Sequence, residues 1–294
     1  MKFGAADIGG VYYSFASTFT QLADKEIDGY TFETKTTAGS VANLRLISDG
    51  YIDLAIAQAD LLSDAYNATG TFADKKYQKG YKAVASLYTE CCQIVVRKDS
   101  GITGIDDLIN KTVSVGASES GSEKNAEQIL KMSGITDELI NKVNMDYTEA
   151  AEKLKAGEID AFFCTAGTRT EVIGQLSKEC DICLISLDDK CIDKMLSAYS
   201  LCEKYTIPAG TYNGQDSDVT TIGVKAVLIA KQSLSDDVIK NVTKTIYEHA
   251  DDFKYATSLD ISFDINTAAD GVDIPFHSGA AAYYTERGIN VLTE

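Results

Sequence analysis

Basic residues are scarce in this chain: 27 lysines and arginines face 44 aspartates and glutamates, for a formal net charge of −17. No cluster of them is long enough to track a phosphate backbone, which argues against nucleic acid and against an anionic membrane surface as partners. No apolar run reaches the roughly 18 to 20 residues needed to span a bilayer. The amino terminus lacks the charged start and apolar middle of a signal peptide. Met1 to Gly4 lead directly into a first strand, as in an extracytoplasmic protein whose leader is absent from this chain, and as in a cytosolic one. Histidine occurs twice, at His249 and His277, and neither lies beside a candidate serine nucleophile, so an acid-base enzyme has little to work with. His249 reads as one face of a long helix and His277 as a structural hydrogen bonder. The glycines of Asp7-Ile8-Gly9-Gly10-Val11-Tyr12-Tyr13 do not form G-x-G-x-x-G, so no dinucleotide site follows.

Seven cysteines fall between Cys91 and Cys202. Cys180-Asp181-Ile182-Cys183 has the spacing of a metal or redox pair, but a zinc or iron–sulfur site requires a second tight pair, and none is present. The expectation is buried thiols with at most one disulfide, no metal and no cofactor. An odd count leaves at least one thiol unpaired within a monomer.

What the chain has is size and alternation. Its 294 residues, 45% hydrophobic, suffice for two medium lobes. Strand, polar loop and helix alternate from the start, the grammar of a mainly parallel sheet covered by helices, with ligands at the carboxyl ends of the strands. Ser40 is the expected cap of a helix over Val41 to Asp49, and Asp53 to Ala57 is a short buried strand ending at Gln58. Ala83 to Tyr88 and Gln93 to Arg97 read as two extended runs separated by Thr89 to Cys92, where the chain crosses into a second lobe. Val113 to Asn125 reads as a strand, a loop of serines and glycine, and a helix beginning at Ser122. Its exposed N–H groups and positive dipole end suit a carboxylate or phosphate, provided Glu119 and Glu123 point away. Ile207 to Asp216 is an extended surface loop, Ile222 to Ile229 a returning strand, and Asp236 to Asp252 one long amphipathic helix capped by Ser235.

Several collinear segments together resemble one family. They are Gly9 to Tyr13, Thr37 to Leu46, Asp53 to Asp60, Asp64 to Gly70, Val113 to Asn125, Asp160 to Phe163 with Ala166-Gly167, Ile207 to Tyr212 with Gly214 to Asp216, and Pro275 to His277. This pattern is similar to the TAXI-type solute receptors of tripartite (TRAP) transporters. The resemblance implies an α/β fold of the two-lobed type II periplasmic binding protein class, each lobe a mixed, mainly parallel sheet covered by helices, with the ligand cleft between them. The lobes are expected at 1–87 with 229–294 and at 88–228, hinged by strands near 88–96 and 222–228. The implied function is extracytoplasmic capture of a small carboxylate-bearing solute, glutamate or a related amino or organic acid, by a monomer that closes on it and delivers it to TRAP membrane permease subunits. The implied ligand shell is Gly10, Tyr12, Tyr13, Ser40, Asn43, Gln58, Ser118, Ser120, Gly121, Ser122, Ala166 and Gly167. The chain departs from the family pattern at Ala6-Asp7-Ile8, at Ala59 and at Thr168-Arg169, which makes Asp7 and Arg169 candidate partners of an ammonium and of a second acid group. A sensing module that signals to a partner protein, and an enzyme on the same architecture, are the alternatives.

Overall fold

A computed structural model describes residues 1–74, 77, 79–258 and 263–294. The chain forms two compact units, Met1–Tyr88 with Lys225–Glu294, and Thr89–Val224.

The first unit opens with three strand-to-helix turns: β1 (Lys2–Gly4) to α1 (Val11–Glu26), β2 (Glu33–Lys35) to α2 (Ser40–Ser48), and β3 (Leu54–Gln58) to α3 (Ala59–Asn67). The strands are parallel in the order β2-β1-β3, with Phe3 opposite both Thr34 and Leu54. Because all three run the same way, α1, α2 and α3 all begin at one edge of the sheet. Phe3, Phe15, Phe19, Phe32, Phe253 and Phe263 pack ring on ring beneath them, with Phe15 and Phe253 stacked at 4.5 Å.

A single strand, β4 (Tyr81–Arg97), carries the chain from one unit to the other. The two runs expected there are continuous, because Thr89 to Cys92 stay extended and Cys91 and Cys92 pair with Ala166 and Thr165. The second unit repeats the parallel plan with β5 (Thr112–Ser114), α4 (Gly121–Met132), β6 (Asn141–Val143), α5 (Tyr147–Ala156), β7 (Ala161–Ala166) and α6 (Glu171–Glu179). Its parallel strands run β6-β5-β7. Next come β8 (Ile182–Leu184), α7 (Asp189–Ala198) and β9 (Cys202–Ile207), a strand the sequence pattern did not single out. Strand β10 (Val219–Lys231) pairs antiparallel with β9 through its first half, inside the second unit, and with β3 through its second half, inside the first. The core of the second unit gathers Ile94, Val113, Ile129, Phe163, Ile192 and Met195.

The helix expected over Asp236 to Asp252 is two: α8 (Asp236–Glu248), with the Ser235 hydroxyl accepting from Val238 N–H at 3.4 Å, and α9 (Ala250–Thr257). The break falls at His249, which leaves helical geometry at ψ 28°. Its ring stands between Glu26 of α1 (2.5 Å) and Asp252 (2.9 Å), so a tie to a neighbouring helix turns the chain there. The last helix, α10 (Ser278–Thr285), packs along α8. His277 caps it, accepting at Nδ1 from Gly279 N–H; it is buried, and burial lowers its pKa. All seven cysteines are free thiols.

Candidate functional site

In the first unit, the sequence-predicted residues collect at the three helix starts. Gly10 caps α1 and Gly39, not Ser40, caps α2; neither start has a side-chain cap or an acidic residue in its first turn. The first turns of α1 and α2 therefore offer to a ligand the N–H groups that an α-helix leaves at its positive end, with no capping side chain bonded to them. Gly9 makes the turn into α1 with left-handed backbone, φ 91°, and Gly10 N–H bonds Asp7 C=O at 3.1 Å. Gln58, at the end of β3, is 1% exposed, its backbone N–H held by the Ser40 hydroxyl at 3.1 Å. Its side-chain Oε1 is buried with no partner. A buried amide oxygen left unbonded costs stability unless something else meets it.

One expected contact has its hydrogen bonds taken up by scaffolding here. Asn43 is 0% exposed, and its amide donates to Ala5 C=O (2.7 Å) and Ile56 C=O (2.8 Å) while its oxygen accepts from Thr37. That side chain stitches the ends of β1 and β3 to α2 and has no donor left over. Tyr12 is buried, whereas Tyr13 is half-buried.

The second unit is built differently. Helix α4 begins at Gly121, with Ser120 rather than Ser122 as its cap, its hydroxyl accepting from Glu123 N–H at 3.0 Å. Glu123 does not leave the loop: its carboxylate accepts from Glu119 N–H (3.0 Å) and from Asn144 (2.9 Å). The start of α4 already holds a carboxylate of its own. Ser122 is 1% exposed and its hydroxyl accepts from Thr165 N–H at 2.8 Å. It also lies 2.5 Å from the Tyr147 hydroxyl, which donates to Thr165 C=O, so Ser122 must be the donor to Tyr147. Its hydroxyl knits α4, α5 and β7 together, and what remains for a ligand is backbone N–H at Gly121 and Ser122. Ser118 alone of this group is exposed. Gly116 is obligatory: at φ 101°, an added Cβ would lie 2.8 Å from the Ser122 Cβ.

Ala166 and Gly167 are buried at the end of β7. The loop they start is anchored from below by residues the sequence reading missed. Thr170 donates to Gly167 C=O at 2.6 Å, and its N–H donates to the Tyr212 hydroxyl at 3.1 Å. Tyr212 in turn donates to Gln93 Oε1 at 2.5 Å, and Gln93 Nε2 donates to Thr170. Burial pushes the Tyr212 phenol far up, so it stays a neutral donor. A glutamine inside the apolar run of β4 was the available signal, since a buried strand polar residue demands a partner. Asp7 is half-buried and Arg169 exposed. No group of three or more metal-ligating side chains comes together among the described residues.

Among solved structures, the chain is similar to PhnD1 from Prochlorococcus marinus in complex with methylphosphonate (TM-score 0.60, 12% identity, covering 89% of this chain and 92% of that one). It is also similar to the ligand-binding component of an ABC-type import system from Staphylococcus aureus with zinc bound (TM-score 0.55, 12% identity, 100% and 94%). A third is the alkanesulfonate-binding protein SsuA from Xanthomonas axonopodis pv. citri bound to MOPS (TM-score 0.52, 12% identity, 88% and 78%). At such identities the likeness is one of fold, the mixed α/β architecture of bilobal periplasmic binding proteins. Residues 3–288 match the NMT1-like family, and the chain belongs to it.

Proposed function

We propose that this protein captures a small carboxylate-bearing solute outside the cytoplasm and delivers it to a membrane importer. The observation that carries the reading is the pair of glycine-capped helix starts, α1 and α2, free of acids and side-chain caps, beside the unpartnered Oε1 of Gln58. Converging N–H donors take an anion, and a lone acceptor takes a ligand donor such as an ammonium or hydroxyl. Glutamate, or a related amino or hydroxy acid, combines the two. Gly10, Tyr13, Ser40 and Gln58 then serve the first unit's share, and Ser118, Gly121 and Gly167 the second's, with Asp7 a further charge partner. The two units are expected to close on the solute by small dihedral changes where β4 and β10 pass between them, near 88–89 and 224–225.

The membrane partner in this reading is a TRAP permease, from the resemblance of the chain's motifs to TAXI receptors. An ABC-type permease is the second reading, favoured by a fold neighbour that is the ligand-binding component of an ABC-type import system. Genes adjacent to this one encoding TRAP or ABC membrane subunits discriminate between them.

Gly10→Asp tests the solute site. Backbone φ −89° and ψ 159° at Gly10 suit an aspartate cap, worth a few tenths of a kcal/mol in α1 over glycine, and a cooperative melt of the variant near the wild-type temperature checks that it folds. The same carboxylate covers the anion donors. L-Glutamate should raise the melting temperature of the wild type and leave the variant unmoved. Equal shifts in both proteins would refute the assignment.

A further inference from the structure

The loops after β5 and β7 share one turn: the residue just ahead of the helix cap is left-handed, Glu119 at φ 66° and Arg169 at φ 63°, where Gly9 stands before α1. Glycine adopts this conformation freely, and an L side chain adopts it at a cost. Arg169 bears that cost while its guanidinium does nothing for the fold. Of the four arginines, Arg97 lies 3.4 Å from Asp99 and Arg287 3.9 Å from Glu286, and Arg45 is also engaged. Arg169 is exposed and makes no hydrogen bond or ion pair among the described residues. Nor is it mounted on a slack loop. The residue after it, Thr170, is completely buried and fixed by Tyr212, Gln93 and Gly167 at 2.6–3.2 Å. An idle planar fork held in a costly conformation on a rigid base is an arrangement suited to reading a carboxylate or another planar anion.

We propose that Arg169 binds a second carboxylate of the solute, so that the protein selects solutes with two carboxylates, such as dicarboxylates and acidic amino acids, over their counterparts with one. This rests on the solute-binding reading above and narrows its substrate class.

Titration calorimetry with two matched pairs, L-glutamate against L-glutamine and succinate against butyrate, tests it in the wild type, Arg169→Gln and Arg169→Gly. The wild type should bind the two-carboxylate member of at least one pair roughly tenfold tighter or better, as expected for a charge-assisted bidentate contact. Both variants should bind the two members of that pair within about twofold of each other, at the wild type's affinity for the one-carboxylate member. Arg169→Gly should also melt at a higher temperature, since glycine relaxes the left-handed turn. Lost discrimination in a more stable protein is not unfolding. A preference for two carboxylates that persists in either variant, or a wild type that favours the one-carboxylate members, overturns the Arg169 assignment and leaves solute binding standing. No binding of any of the four probes overturns both.

Discussion

At the scale of single residues, tertiary ties decide what a side chain does. His249, one helix-face residue by periodicity, is held between Asp252 and Glu26, with Thr245 donating to the second oxygen of Glu26 at 3.1 Å. The hydrogen bond that the ring donates to Asp252, followed by the one it donates to Glu26, raises the imidazole pKa above its ordinary value. A raised folded-state pKa means a stabilising contribution that is full below the unfolded value of about 6.5 and fades as pH climbs through the folded one. The melting-temperature gap between wild type and His249→Gln should therefore be widest near pH 6 and shrink toward pH 8. A gap that grows with pH would contradict the pairing. The ring is partly exposed, so the effect is modest.

At the scale of elements, the two units use the same strand-loop-helix unit in opposite ways. Helices α1 and α2 start bare at glycines, whereas α4 and α5 start with Ser120 and Asp146 accepting from Glu123 and Glu149 N–H, and both first turns are acidic. An anion gains more at a start whose donors are unengaged than at one already neutralised by its own carboxylate. The Val113 to Asn125 stretch reads in sequence as the anion cradle, but its helix start is capped by Ser120 and flanked by Glu123, whereas α1 and α2 have neither feature, and the proposed site leans on them for that reason. The bare starts need an independent scaffold, and Asn43 supplies it. Asn43→Ala removes the side-chain donor to the Ile56 carbonyl and leaves Ala5 C=O to the Thr37 hydroxyl, and should lower stability by about 1–3 kcal/mol in urea unfolding. A loss under about 0.5 kcal/mol, the range of an ordinary surface change, would show that α2 is held some other way.

At the scale of the whole molecule, β4 and β10 are the strands shared by both units, and each is one uninterrupted run of 17 and 13 residues. Each passes between the units at one place, near 88–89 and 224–225, so the closure proposed above falls to a few residues there. Small-angle scattering with saturating solute, identified by native mass spectrometry of the purified protein, should give a smaller radius of gyration than the solute-free form. An unchanged radius at saturation would remove closure from the mechanism.

The amino-acid sequence by itself determined the alternation of strand, loop and helix, the parallel sheets and the places where glycine and small residues open a helix start. Those are local properties: hydrophobic period, cap chemistry and turn residues act within a few positions of each other. Only the tertiary structure decided which polar residues are scaffolding. Asn43 and Ser122 have the same residue types as ligand-binding positions, but partners 38 and 43 residues away use up their hydrogen bonds. The same distance hid the Gln93–Thr170–Tyr212 network, whose members are up to 119 positions apart. Burial and partner count depend on what the fold brings alongside, and no local pattern records that.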